Sequence, residues 1–199
     1  MILYVASNNA HKLEEIRSAM PSFDIRSPRD AGIDFDFPEN ADSFIGNSTG
    51  KALALWNLLA APVLADDSGL CVDALNGRPG VLSARYGSAD GTLPLASEDR
   101  NTLLLNEMRG KPDRSCRFVC AMSLVLSADR IFVVQETCEG VLLDAPRGAG
   151  GFGYDPVVYL PGLGRSVAEL SSEEKNRVSH RGRAIMRITA LVGSLEHRE

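Results

Sequence analysis

Among the residues able to do chemistry, the charged ones are unevenly placed. The segment from Asp30 to Asp42 carries five acids (Asp30, Asp34, Asp36, Glu39, Asp42) and no base, and the segment from Lys175 to Arg187 carries five bases (Lys175, Arg177, Arg181, Arg183, Arg187) and no acid. An acidic run can help hold a divalent cation and a basic run can meet a polyanion, while two solvated faces would read the same way. A further pair of acids lies in Asp66-Asp67-Ser68-Gly69, directly after the apolar run Pro62-Val63-Leu64-Ala65. Read as a buried strand followed by an acidic turn, this places the carboxylates at the C-terminal mouth of the strand, where open α/β sheets bind ligands. Asp67 with a distant acid then suits Mg2+, a hard cation that takes one or two carboxylates plus substrate phosphates. The same four residues have ordinary turn and cap chemistry as well.

Three more segments are candidates. Ser7-Asn8-Asn9-Ala10-His11-Lys12 puts a hydroxyl, amides and a lysine where a first helix begins, so unpaired backbone N–H groups and the helix dipole could cradle phosphate, or the segment could be a plain N-cap. Gly46-Asn47-Ser48-Thr49-Gly50-Lys51 is not a P-loop: three residues separate its glycines where four are needed, Ala52 replaces the Mg2+-binding Ser/Thr, and no strand precedes it. Lys51 can still reach phosphate as a helix side chain. Gly148 to Asp155 reads GAGGFGYD, which is no dinucleotide fingerprint. Glycines around Phe152 would let the backbone approach a planar ligand while the ring stacks on a base, or they form a turn with Phe152 in the core.

The elements that must position these residues follow from periodicity. Ile2 to Ala6 and Phe23 to Arg26 are strand-like, His11 to Met20 and Asn40 to Ala61 are helical, and Pro62 closes the second helix. A helix is expected over Ser97 to Met108, a hairpin from Arg117 to Leu126 and Ile131 to Thr137, and a short strand from Pro156 to Leu160. Ser171 and Glu174 have capping-box spacing, and Ser179 could cap a following segment with Ile185, Ile188, Leu191 and Val192, leaving one bent helix or two. Strands interleaved with helices, plus one hairpin, predict an α/β fold with a mixed sheet.

Composition sets outer bounds. With 199 residues, 44% hydrophobic and 24% charged, the chain reads as a single globular domain. Its balance of 21 basic against 26 acidic residues, a net charge of −5, argues against a sequence-independent nucleic-acid coat. Cys71, Cys116, Cys120 and Cys138 form no C-x-x-C pair, and no histidine stands at zinc-finger spacing from them. No signal-peptide pattern opens the chain and no apolar run nears the roughly 18 residues of a membrane span. A reducing, cytoplasmic setting without a membrane partner is therefore expected.

Five motifs occur in order: S-N-N-A-H-K at 7 to 12, A-D-D-S-G-L at 65 to 70, S-A-R-Y at 83 to 86, G-G-F-G-Y-D-P at 150 to 156 and E-E-K-N-R-V-S-H-R-G at 173 to 182. Together they resemble the inosine triphosphate pyrophosphatase family, also called Ham1-like, over nearly the full chain. The resemblance implies Mg2+-dependent hydrolysis of non-standard purine nucleoside triphosphates (ITP, dITP, XTP) to the monophosphate and pyrophosphate, which cleanses the nucleotide pool. It also implies an elongated mixed α/β fold with two lobes around a central cleft, in a homodimer. By motif, Ser7, Asn8, Asn9, Ala10, His11 and Lys12 would bind the triphosphate. Asp67 would be metal ligand and general base with Ser68 beside it. Phe152, Gly153, Tyr154 and Asp155 would hold the base, Lys175 the nucleotide, and His180 and Arg181 the 6-oxo edge of the purine. Glu39 falls at the family's metal-binding glutamate and Lys51 at its phosphate-binding lysine.

One departure stands out. Bacterial members read F-x-E-N-A-x-x-K-A, whereas this chain reads Phe44-Ile45-Gly46-Asn47-Ser48-Thr49-Gly50-Lys51-Ala52. Gly46 removes any metal role at its position, and Gly50 weakens the helix by roughly 1 kcal/mol relative to alanine. A pyrophosphatase for another modified nucleotide, and a non-catalytic nucleotide-binding module, are the alternative readings.

Overall fold

The computed structural model describes residues 1–88 and 95–196. Its elements in chain order are β1 (Ile2–Val5), α1 (Ala10–Ala19), β2 (Asp24–Arg26), α2 (Phe44–Leu59), β3 (Val63–Val72), α3 (Ser97–Glu107), β4 (Ser115–Ser127), β5 (Arg130–Leu142), β6 (Val158–Leu160), β7 (Arg165–Ser166), α4 (Ser172–Val178) and α5 (His180–Glu196), with short 3-10 turns among them. The strands form one sheet in the order β2-β1-β3-β4-β5-β6-β7. Its β2-β1-β3 part is parallel and its β5-β6-β7 part antiparallel, so the expected mixed α/β architecture is found. The hairpin is also there, since β4 and β5 are neighbours joined by Ala128-Asp129 alone.

The chain divides into two compact units. The first comprises Met1–Asp67, Cys120–Glu136 and the described residues from His180 onward. Here Leu3, Val5 and Leu64 of the parallel strands and Cys120, Met122 and Leu124 of β4 pack against Leu13 and Ile16 of α1 and Ile185, Ile188 and Val192 of α5. A separate cluster sets Ala52 and Leu55 of α2 against Val63 and Ala65 of β3 and Phe35. The second unit comprises the described residues of 68–119 and 137–179, with a core of Leu70, Val72, Leu104, Met108, Phe118, Leu142, Tyr154 and Val157 among others. No helix among the described residues is long and apolar enough to cross a membrane.

Two expectations about local structure need correction. Asp66-Asp67-Ser68-Gly69 is not a turn after a strand, because β3 runs through all four residues to Val72. Aspartate and glycine are poor strand formers, but residues 63–67, 69, 70 and 72 are all buried, and packing on both faces overrides propensity. The second helix begins at Phe44 instead of Asn40, with Ser43 accepting from the Gly46 N–H as N-cap. At the C-terminus the question of one helix or two is settled by Ser179, which is extended (φ −71°, ψ 157°) and separates α4 from α5.

The two unusual glycines of α2 do not interrupt it. A Cβ at Gly46 would lie 2.8 Å from Ala41 Cβ and 3.1 Å from Ser43 Oγ, and one at Gly50 would lie 2.8 Å from Phe37 Cζ, so both sit where the preceding segment presses on the helix. Gly69 is under tighter constraint: an added Cβ would be 2.4 Å from both the Gly80 carbonyl oxygen and Ser83 Oγ. Gly69→Ala is therefore expected to destabilise by about 1–3 kcal/mol, read as a fall in Tm of about 2–4 °C per kcal/mol. An unchanged Tm would contradict this packing.

Candidate active site

Alternation along β3 decides where its two acids go, because successive side chains point to opposite faces of a sheet. Asp66 shares the face of Leu64, which packs with α1 and α5, and Asp67 that of Val63 and Ala65, which pack with α2. Asp66 is fully buried. Its Oδ2 accepts from Lys12 Nζ at 3.2 Å and from Arg181 Nε and Nη2 at 3.2 and 3.1 Å. Arg181, 2% exposed, also donates through Nη1 to Glu15 of α1. Burial would push the Asp66 carboxyl up, but Lys12, Arg181 and Lys51 more than reverse this and hold it well below the usual carboxylate range. Burial would likewise lower Arg181, and Asp66 and Glu15 outweigh it, leaving the guanidinium firmly charged.

Asp67, 4% exposed, accepts from Asn47 Nδ2 at 2.9 Å, and Asn47 Oδ1 is itself anchored by the Ala41 N–H at 2.9 Å. Burial, reinforced by the charge of Glu39, raises the Asp67 carboxyl above its ordinary value, against the opposing influence of Lys12. Lys51 ties these groups together: its ammonium pairs with Glu39 and donates to the Asp66 carbonyl at 3.1 Å. Two carboxylates whose charges act on the same site are a donor set suited to a hard divalent cation. Mg2+ is commonly held by one or two carboxylates and completes its shell with water and substrate phosphates. Glu39 and Asp67 are thus the residues that could hold it.

At the start of α1, Asn9 is the N-cap, its Oδ1 accepting from the Lys12 N–H at 3.2 Å. Ser7 Oγ accepts from the Asn9 N–H at 3.2 Å, and Asn8 Nδ2 donates to the Phe35 carbonyl at 2.7 Å. The turn is exposed from Asn8 to His11, with Lys12 turned inward to Asp66.

The second unit carries its own cluster. Asp155 and Lys175 are 3% and 6% exposed and pair at 2.6 Å. The same Asp155 oxygen accepts from the Phe152 N–H at 2.9 Å, and the Lys175 ammonium lies 4.6 Å from the Phe152 ring centroid, a cation–π contact covering one face of the ring. The Gly153 carbonyl accepts from Asn101 Nδ2 at 3.1 Å, and the Tyr154 hydroxyl donates to the Ser83 carbonyl at 3.0 Å. Positive φ at Gly151 (71°) and Gly153 (62°) lets the loop wrap the Asp155 carboxylate this closely.

The model of the Ham1 family matches residues 3–191. The chain is 49% identical over 192 residues to the dITP/XTP pyrophosphatase of Treponema denticola, covering 96% of this chain and 98% of that protein. It is 43% identical to the dITP/XTP pyrophosphatase of Geobacillus kaustophilus, over 94% and 91% of the two chains. Among solved structures, the Staphylococcus aureus Ham1 protein superposes with a TM-score of 0.87 at 35% identity, over 98% of this chain and 99% of that one. The chain belongs to the Ham1 family.

For this Ham1-family member, one group of expected residues is brought together in each unit. In the first, Lys12, Glu39, Lys51, Asp67 and Arg181 gather along β3, and His180, 6% exposed, opens α5. In the second, Phe152, Gly153, Tyr154, Asp155 and Lys175 form one network, and Ser68 follows Asp67 along β3. Arg181, expected at a purine edge, has its guanidinium forked onto Asp66 and Glu15. Lys175, expected on the nucleotide, is paired with Asp155.

Sequence reasoning gave no role to Asp66, Glu15, Asn47 or Asn101. Glu15 carried a signal, three residues after Lys12 on one helix face; Asn101 carried none.

Two outcomes follow. A carboxyl whose folded value is raised is stabilising only when protonated, so the charged Asp67 costs stability above its folded pKa and that cost disappears as pH falls through it. Asp67→Asn should therefore raise Tm at pH 7, with the difference shrinking on acidification. Asp155→Ala should strand the buried Lys175 and cost about 3–5 kcal/mol, and adding Lys175→Met should recover most of the lost Tm. A double variant as unstable as the single one would show that the pair is not what holds this loop.

Proposed function

We propose that this protein is a Mg2+-dependent pyrophosphatase for non-standard purine nucleoside triphosphates. It converts ITP, dITP or XTP to the monophosphate and pyrophosphate, cleansing the nucleotide pool of the cytoplasm, as a homodimer with no nucleic-acid or membrane partner. The observation that carries the reading is the set of Lys12, Lys51, Arg181, Glu39 and Asp67 gathered along one strand of the first unit, in a chain whose relatives are named dITP/XTP pyrophosphatase. Cations flanking two carboxylates suit a polyanion bound with a metal, and they favour an enzyme over a passive binding module.

Held by Glu39 and Asp67, the metal would supply Lewis-acid neutralisation of charge on the phosphate oxygens. Lys12, Lys51 and Lys175 offset the remaining triphosphate charge, and the Ser7 to Lys12 turn binds phosphate oxygens through its N–H and side-chain donors. Asp67 orients a water and takes its proton as the oxygen attacks the α-phosphorus in line. The bond from that phosphorus to the α-β bridging oxygen breaks and pyrophosphate leaves. The raised Asp67 carboxyl is a better proton acceptor than an ordinary aspartate, since basicity rises with pKa. Ser68, next along β3, contacts the substrate.

Phe152, Gly153, Tyr154 and Asp155 hold the base, with His180 and Arg181 at its 6-oxo edge. Arg181 can only donate, so it matches the oxygen of hypoxanthine or xanthine and opposes the amino group of adenine.

A phosphate-release assay with added inorganic pyrophosphatase, run on ITP, XTP, dITP and ATP, tests the reading; equal kcat/KM on ITP and ATP would defeat the specificity. Asp67→Asn should lower kcat by at least about 100-fold with the fold retained. Arg181→Ala should abolish the preference of ITP over ATP, judged as a ratio of kcat/KM values so that any loss of folded protein cancels.

A further inference from the structure

Asp66 is the acid of β3 to which the family resemblance gives no role, yet the cations around it are those expected to meet substrate. Its Oδ2 takes Lys12 at 3.2 Å and two nitrogens of Arg181 at 3.2 and 3.1 Å, and its carbonyl takes Lys51 at 3.1 Å. The two cations on Oδ2 are not equivalent. The Arg181 side chain is 3% exposed and is also held by Glu15, whereas the Lys12 side chain is 15% exposed, at the N-terminal turn of α1. Withdrawing Arg181 would take a cation from two carboxylates at once. Withdrawing Lys12 leaves Asp66 with both Arg181 donors, and a phosphate oxygen can replace the carboxylate oxygen at Nζ with little change in the lysine's electrostatic surroundings.

We propose that Asp66 is a positioning residue for the triphosphate, keeping Lys12 as an exchangeable partner and Arg181 as a fixed one on the same oxygen. It touches no reacting atom. It presents Lys12 toward phosphate, and because one oxygen serves both cations, loss of Lys12 to substrate tightens the Asp66–Arg181 contact. Charge engaged at the phosphate end is thereby felt by the residue expected to read the base. Members of such a shared buried network are non-additive when changed together. The proposal rests on the reading above, in which Lys12 meets phosphate and Arg181 meets the purine edge.

The test is a double-mutant cycle on kcat and KM in Mg2+, using Asp66→Asn, Lys12→Met and the combination, with Tm recorded for each. Lys12→Met is expected to raise KM about tenfold in the wild-type background, the worth of one charge-assisted hydrogen bond. In the Asp66→Asn background it should raise KM by about twofold or less, a coupling of at least about fivefold. Single effects that multiply to the double effect within about twofold would overturn the proposal, as would an Asp66→Asn protein with lowered Tm and kcat whose KM response to Lys12→Met is that of the wild type.

If Asp66→Asn does not fold, Lys12→Met decides alone. A lysine acting only on phosphate leaves the ITP-to-ATP ratio of kcat/KM untouched, whereas the shared oxygen predicts a change of about threefold or more. An unchanged ratio overturns the proposal. A wild-type enzyme with no preference for ITP would instead defeat the substrate reading, and the KM cycle, run on whichever triphosphate is hydrolysed, would still judge Asp66.

Discussion

A carboxylate that is completely buried in a strand has to be met by cations, because an isolated charge in a protein interior is far costlier than the same charge in water. Asp66 is that carboxylate, and much of the first unit is arranged to meet it. Lys12 comes from α1, Arg181 from α5, and Lys51 reaches the adjoining carbonyl from α2, so each helix of the unit sends one cation to one residue of β3. Glu15 then balances Arg181, and Glu39 balances Lys51. Apolar contacts hold the helices on the sheet, and the ion pairs fix the helices' rotation and register against β3.

The neighbouring acid has the opposite fate. Asp67 points to the other face of the strand, where an amide from Asn47 meets it and burial, with the charge of Glu39, outweighs the pull of Lys12. One residue of the pair is therefore held strongly ionised and the other is pushed toward protonation. Pairs of titratable groups driven apart in this way commonly divide structural from chemical duty. The strand's two-residue repeat brings the division about: consecutive positions cannot share surroundings when both faces are covered.

The second unit uses similar economy in its loop. Asp155 is a counter-ion for Lys175 and an acceptor for the Phe152 amide through the same oxygen, and Lys175 in turn lies over the Phe152 ring. Three residues from two segments are thus mutually dependent, and the left-handed glycines on either side of Phe152 make the close approach possible without strain.

Much of this was legible in the sequence. Periodicity and turn chemistry found the helices and most strands, although β3 and β5 run seven and five residues beyond their expected ends and β7 was not expected; the Ser171–Glu174 capping box is present, and five ordered motifs pointed to the family. What sequence reasoning missed shares one cause. Asp66-Asp67-Ser68-Gly69 has turn composition, and only burial on both faces turns it into strand. The pairing of Arg181 with Asp66 had no signal either, since only the arrival of α5 beside β3 sets the arginine against an aspartate 115 positions away in the chain. By itself the sequence determined which chemical groups are available and which local elements carry them, because those depend on neighbours a few residues apart. Tertiary structure alone decided which charge faces which, since a buried ion pair is chosen by packing between distant segments and leaves no periodic trace in the chain.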